Sequence, residues 1–122
     1  MKNIVEYLER SQKKHPDKIA VIDENGKCSY TELEEASKKV GSFLIKEGAV
    51  RKPVIVFMDK SINALEVFLG IAYADSTYTL INPELPIQRI EKIDETLNTE
   101  YIVTDKDNMS LAKEIFKNKR IY

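Results

Sequence analysis

A chain of 122 residues has the length of one ordinary domain, enough to bury roughly two-thirds of the surface its unfolded form exposes. Hydrophobic residues make up 43% and charged residues 32%, and no apolar run approaches the roughly 20 residues of a spanning helix, which excludes a disordered chain and a helical membrane protein. Nineteen Lys and Arg against twenty Asp and Glu leave a formal net charge of -1, which removes the electrostatic case for a nucleic-acid binder.

The first expected element is an amphipathic helix from Asn3 to about Lys14, with Ile4, Val5 and Leu8 on one side and Glu6, Glu9, Arg10 and Lys13 elsewhere. Pro16 ends it. The run Ile19 to Ile22 within Lys18–Asp23 reads as a strand, and Asn25-Gly26 supplies a tight turn into a returning strand from Lys27 to Tyr30. Thr31 with Glu34 is the expected capping box of a second helix, whose stripe Leu33, Ala36, Val40, Phe43 and Leu44 runs to a stop at Gly48.

Pro53 to Met58 is almost continuously apolar, as a strand covered on both faces must be. Ser61 is the expected N-cap of a helix with Leu65, Phe68, Leu69 and Ala72 on one face, and Thr77–Ile81 resumes strand character. Strand, helix and strand in that order make a right-handed βαβ crossover if the strands are parallel neighbours. The unit repeats: Pro86 suits a first turn, Ile87, Ile90, Ile93 and Leu97 line a helix face, and Glu100–Thr104 is a short strand. Ser110 is the expected cap of a short helix through Lys117, and Arg120-Ile121-Tyr122 opens another strand. The succession predicts an α/β fold with a largely parallel, doubly wound sheet and an antiparallel edge hairpin, one domain over residues 1–122.

Chemistry is harder to find. Asp59-Lys60-Ser61, at the carboxyl end of the apolar strand, is where a parallel sheet would hold an anion, yet it has no glycine to let backbone amides approach a phosphate, and no Gly-x-Gly-x-x-Gly or Gly-x-x-x-x-Gly-Lys-Ser/Thr occurs. Ordinary capping by Ser61 is the expectation. Asp75-Ser76-Thr77 with Tyr78 has no base near it in sequence; His15, the single histidine, precedes Pro16 at a helix end and is expected in solvent. Glu34 and Glu35 are neighbours on a helix and point apart. The six tyrosines are scattered over different elements without a basic stripe, so packing rather than base stacking is expected of them. Lys13-Lys14 and Lys38-Lys39 sit among acids as solvated helix faces. The single Cys28 is expected as a small half-buried strand residue; with one histidine there is no zinc constellation. Met1 is followed by a polar amphipathic segment rather than an apolar signal region, and a reducing, cytoplasmic setting is the expectation.

Cys28-Ser29-Tyr30-Thr31-Glu32-Leu33 resembles the first core motif of the AMP-forming adenylating superfamily, which includes acyl-CoA synthetases, nonribosomal peptide synthetase adenylation domains and ligases that load D-alanine onto a carrier protein. Phe68-Leu69-Gly70-Ile71-Ala72-Tyr73-Ala74 through Tyr78, Ile81, Pro83, Leu85-Pro86 and Arg89-Ile90 resembles the second motif at the right distance, and Pro16–Val21 and Tyr101–Asp105 are similar to the flanking pattern. The resemblance covers essentially the whole chain and looks most like the amino-acid-activating members. Two departures stand out. The usual Gly-containing turn of the second motif is Ala74-Asp75-Ser76-Thr77 here, and Leu80 and Asn82 replace a Pro and an Asp.

The resemblance implies an ATP- and magnesium-dependent ligase that activates a carboxylic or amino acid as an acyl-adenylate and transfers it to a thiol, of CoA or of a carrier protein's phosphopantetheine. It places the phosphate loop, the ribose-holding aspartate and the lysine of that chemistry further along than these residues. The expectation is therefore an N-terminal piece with no catalytic, cofactor-binding or metal-binding residue of its own, inactive alone, whose partner is the remainder of the enzyme. Unpaired sheet edges would make it self-associate. The alternatives are a stand-alone binding module that reuses the scaffold, hinted at by residues 75–82, and a flavodoxin-like or response-regulator-like protein, which lacks an acidic cluster after a first central strand.

Overall fold

The computed structural model describes residues 4–24, 26–117 and 119–122. Helix α1 (Ile4–Lys14) is followed by the hairpin strands β1 (Ile19–Asp23) and β2 (Gly26–Ser29), then by α2 (Tyr30–Lys46), β3 (Pro53–Phe57), α3 (Ile62–Tyr73), β4 (Thr77–Ile81), α4 (Ile87–Leu97), β5 (Tyr101–Thr104), α5 (Met109–Ile115) and β6 (Arg120–Ile121). The expected helix start at Asn3 and the Asn25 half of the hairpin turn lie outside the described residues.

Strands β3 to β6 form one parallel sheet in the order β4-β3-β5-β6. The hairpin is antiparallel, as expected, and makes a two-stranded sheet of its own beside the parallel one. Alternation along the central strands assigns their faces. Val54 and Val56 of β3 and Val103 of β5 meet Leu44 of α2 and Val67 and Ile71 of α3, while Ile55, Phe57 and Ile102 meet Ile90 of α4 and Ala112 and Phe116 of α5. Both faces are thus covered, which is why Pro53–Phe57 carries no polar residue at all. A third cluster, Leu8, Cys28, Leu33 and Leu69, fastens α1 and the hairpin to the outer side of α2 and α3.

The start of α2 differs from the expected Thr31–Glu34 box. Ser29, in extended backbone, accepts from the Glu32 amide through its hydroxyl at 3.2 Å, and Glu32 Oε1 accepts from the Ser29 amide at 3.0 Å. The helix begins earlier because Tyr30 N–H donates to Lys18 C=O and Thr31 N–H to Pro16 C=O, contacts far away in sequence. Thr31 Oγ1 instead donates to Pro16 C=O at 2.9 Å and tethers the α1–β1 connection. Asn108 rather than Ser110 precedes α5; its amide and side-chain nitrogen donate to Asp105 Oδ1, which fixes the turn before the helix.

Helices α2 and α3 cross at Gly41 and Gly70 with almost no separation: a Cβ on Gly70 would stand 2.5 Å from Val40 Cβ and 2.9 Å from the Ser37 carbonyl oxygen. The fully buried Ser37 fits there because its hydroxyl donates to Leu33 C=O at 2.7 Å.

Candidate functional site: the carboxyl edge of the parallel sheet

The chain leaves β3 into α3 on one face and leaves β5 into α5 on the other, so the connections that follow these adjacent, paired strands diverge. Such a divergence opens a crevice, the general ligand position of doubly wound sheets. Here it is a cleft of about 590 Å³ between the loops after β3, β4 and β5 and the hairpin. Asp59, Lys60, Ser61, Asn63, Asp105 and Asp107 line it together with Asp23 and Glu24 from the hairpin and Glu84 from the turn after β4.

The loops around this cleft are tied by their own side chains. Thr104 Oγ1 donates to Phe57 C=O at 2.8 Å and locks the ends of β5 and β3 together. Asn82 Oδ1 accepts from the Glu84 amide at 2.9 Å, closing the turn before α4; the departure from the motif at this position is a turn device. Ser61 caps α3 as expected, its hydroxyl accepting from the Ala64 amide at 3.1 Å. The Ile62 amide is also occupied, by Asp23 Oδ2 at 2.8 Å.

A nucleotide polyphosphate does not fit this arrangement. Two of the N–H groups that would make the α3 N-terminus an anion site, those of Ile62 and Ala64, are engaged by Asp23 and Ser61, and six carboxylates share the described lining with Lys60. Among the described residues no group of three or more His, Cys, Asp or Glu side chains is arranged to hold a metal ion.

The other candidates lie away from the cleft. Ser76 sits at the opposite, amino end of the sheet, where its hydroxyl donates to Ala49 C=O at 2.8 Å and accepts from the Lys52 amide at 3.1 Å, joining the loops before β3 and β4. Asp75 adopts a positive φ of 56° where the family has its small Gly-containing turn, and its carboxylate meets Arg51 at 3.2 Å in solvent. His15 is exposed at the end of α1, and Glu34 pairs with Lys38 at 2.6 Å while Glu35 points to solvent. Tyr73 donates to Glu9 at 3.3 Å; burial, then the fields of Glu9 and Glu34, push its phenol far above the usual range. Tyr78 stacks on Phe68, and Tyr122 meets Phe43 edge-on. Cys28 is buried rather than half-buried, and burial followed by the charges of Glu66 and Glu32 raises its thiol, the opposite of an activated nucleophile.

Asp23 is the residue of this edge that sequence reading missed. It acts 39 positions from the amide it caps, and no local pattern carries that pairing.

A sequence profile of the family described as AMP-binding enzyme matches residues 8–121, and the chain belongs to that family. Tyrocidine synthase 1 of Brevibacillus parabrevis is 28% identical over 115 residues, 93% of this chain and 11% of that protein. The D-alanine--D-alanyl carrier protein ligase of Lacticaseibacillus casei is 26% identical over 101 residues, 83% of this chain and 20% of the ligase. The solved structure of VinN with L-aspartate superposes with a TM-score of 0.90 at 18% identity over 99% of this chain and 32% of its own, a likeness of fold. The chain thus spans a minor part of each of these proteins. The family assigned by the two motifs is the family found, and the flavodoxin-like alternative falls with it. Among the described residues no helix is long and apolar enough to cross a membrane.

Proposed function

We propose that this chain is the N-terminal scaffold of a cytoplasmic ATP- and magnesium-dependent ligase that activates a carboxylic or amino acid as acyl-adenylate and passes it to a thiol. The observation that carries the reading is the family match over residues 8–121 in a chain that corresponds to 11% of tyrocidine synthase 1 and 20% of the D-alanine carrier protein ligase. Those two relatives favour an amino acid as substrate and a carrier-protein phosphopantetheine as acceptor, with CoA as the other thiol of the class.

The role of the chain itself is structural. Its two motifs fall on elements that build the sheet: the first on β2 and the start of α2, where Ser29 and Glu32 form the capping box, the second on α3, β4 and the turn into α4. The departing segment 75–82 is accounted for by Ser76 and Asn82 as loop ties, which supports scaffold over an interaction module. Strands β4 and β6 end the sheet, and apolar grooves of about 290 and 310 Å³ lie beside them, lined by Ile93 and Leu97 near β4 and by Phe43, Val67 and Tyr122 near β6. Those edges support self-association of the isolated chain.

Two measurements test this. Incubated with ATP, magnesium and a panel of amino acids, the chain is expected to give no substrate-dependent pyrophosphate exchange; robust exchange would overturn the scaffold role. Sedimentation is expected to show association rising with concentration, and a monodisperse monomer throughout would remove the self-association.

A further inference from the structure

The two edges of the parallel sheet are unequal. Strand β6 has two residues, one of them Arg120, whereas β4 runs for five, Thr-Tyr-Thr-Leu-Ile, with no charge, no proline and no bulge in its pairing. Short length, charge, proline and bulges are the devices that keep an edge from pairing again, and β4 carries none of them. Its register shows which groups are on offer. Thr77 N–H donates to Lys52 C=O at 3.2 Å, so Thr77, Thr79 and Ile81 turn their backbone groups to β3, and Tyr78 and Leu80 turn theirs away from the sheet.

The groove beside this edge has a sign. Thr79, Ile93, Thr96 and Leu97 line it with Arg89 and Lys92, and no carboxylate is in the described lining. Both cations are exposed, and neither has an ion-pair partner among the described residues. We infer that β4 is a strand-addition site for an extended acidic segment, which bonds the free backbone groups of Tyr78 and Leu80 and turns carboxylates on alternate residues toward Arg89 and Lys92. Thr79 points to the α4 side, so a glutamate beside it lays its methylene stem on Ile93 and Leu97 and carries its charge to the two cations. The intervening residues fall on the α3 side, next to Tyr78 where it stacks on Phe68. A second copy fits this edge worse: pairing β4 with itself about Thr79 brings Arg89 and Lys92 of both copies to one seam with no carboxylate in either lining. Self-association then falls to the β6 side, so sedimentation and the experiment below read different surfaces.

The test is an amide chemical-shift and hydrogen-exchange titration of the whole chain with the hexapeptide acetyl-Glu-Val-Glu-Val-Glu-Val-amide. Two control peptides accompany it, one with Lys in place of Glu and one with alternate amides N-methylated to remove its donors. The acidic peptide is expected to shift Tyr78 to Ile81 saturably at millimolar concentration and to slow exchange at Tyr78 and Leu80, with little change at Thr79, whose amide already bonds β3. Its affinity is expected to fall as salt rises. The double variant Arg89→Gln, Lys92→Gln alters exposed helix positions only and is expected to bind it about fivefold more weakly, the combined scale of two exposed ion pairs. Equal binding of the Lys peptide would overturn the charge argument, and equal binding of the N-methylated peptide would overturn strand addition. No saturable shift with the acidic peptide, or slowed exchange at Tyr78 and Leu80 that rises with protein concentration alone, would overturn the inference, the latter by giving the edge to a second copy. None of these results bears on whether the enzyme adenylates, which the pyrophosphate exchange reads separately.

Discussion

Gly70 lies in the middle of α3, where helix propensity alone says that Ala should replace it with a gain of about 1 kcal/mol. The crossing with α2 says the opposite. A Cβ at Gly70 would stand 2.5 Å from both Val40 Cβ and Cγ1 and 2.9 Å from the Ser37 carbonyl oxygen, against about 3.5–4.0 Å for an ordinary carbon contact. Two of those three atoms, Val40 Cβ and Ser37 O, are fixed by the α2 backbone and cannot rotate away. Relief therefore requires the helices to part by about 1 Å, which loosens the packing of Leu44, Val67 and Ile71 on the sheet. Overpacking of this kind costs about 1–3 kcal/mol, and rigid neighbours place it at the upper end, leaving a net destabilisation of about 2 kcal/mol after the propensity gain. For a domain of this size that lowers Tm by about 8–10 °C. Thermal unfolding followed by circular dichroism at constant protein concentration measures it. An unchanged or raised Tm for Gly70→Ala would refute the argument, because it would mean that the α2–α3 distance is adjustable at no cost.

Three further outcomes follow from other parts of the molecule. Burial first, and the charge of Glu32 second, raise the Glu66 carboxyl above its ordinary value; a group raised in the folded state supports stability below its unfolded pKa and loses that support as pH climbs through the folded one. Glu66→Gln is therefore expected to raise the urea midpoint at neutral pH by more than at pH values below about 4; a gain that is equal or larger in acid would contradict the sign. Ser76→Ala leaves the Ala49 carbonyl and the Lys52 amide without their shared partner, and should cost about 1–2 kcal/mol with faster amide exchange at Lys52; unchanged exchange there would show that the tie is dispensable. Asp75→Gly relieves a positive φ of 56° and is expected to stabilise by up to about 1 kcal/mol; a loss of stability would mean that the exposed Arg51–Asp75 pair outweighs the backbone.

Periodicity located each element, because burial of one helix stripe or of both strand faces writes itself locally: Val54 to Phe57 could only be a central strand, and Leu65, Phe68 and Leu69 could only be one side of a helix. Caps were less legible. Ser61 was readable because its partner Ala64 is three residues away, whereas α2 starts at Ser29 rather than Thr31 because Lys18 and Pro16 draw the Tyr30 and Thr31 amides across the hairpin. The motif departure at residues 74–77 had its physical sense in the sequence already, since a side chain where glycine is usual is conspicuous, and Asp75 does adopt the positive φ. Asn82 gave no such hint of the turn it closes.

The sequence by itself determined the alternation of helix and strand, the parallel sheet and, through two motifs, the adenylating family. Strand order, the separate standing of the hairpin and the identity of the cleft were decided only in three dimensions. The reason is range: a helix stripe or an adjacent cap is an interaction over three or four residues, whereas the Asp23 bond to Ile62 and the close approach of Gly41 to Gly70 exist only after the chain has returned on itself.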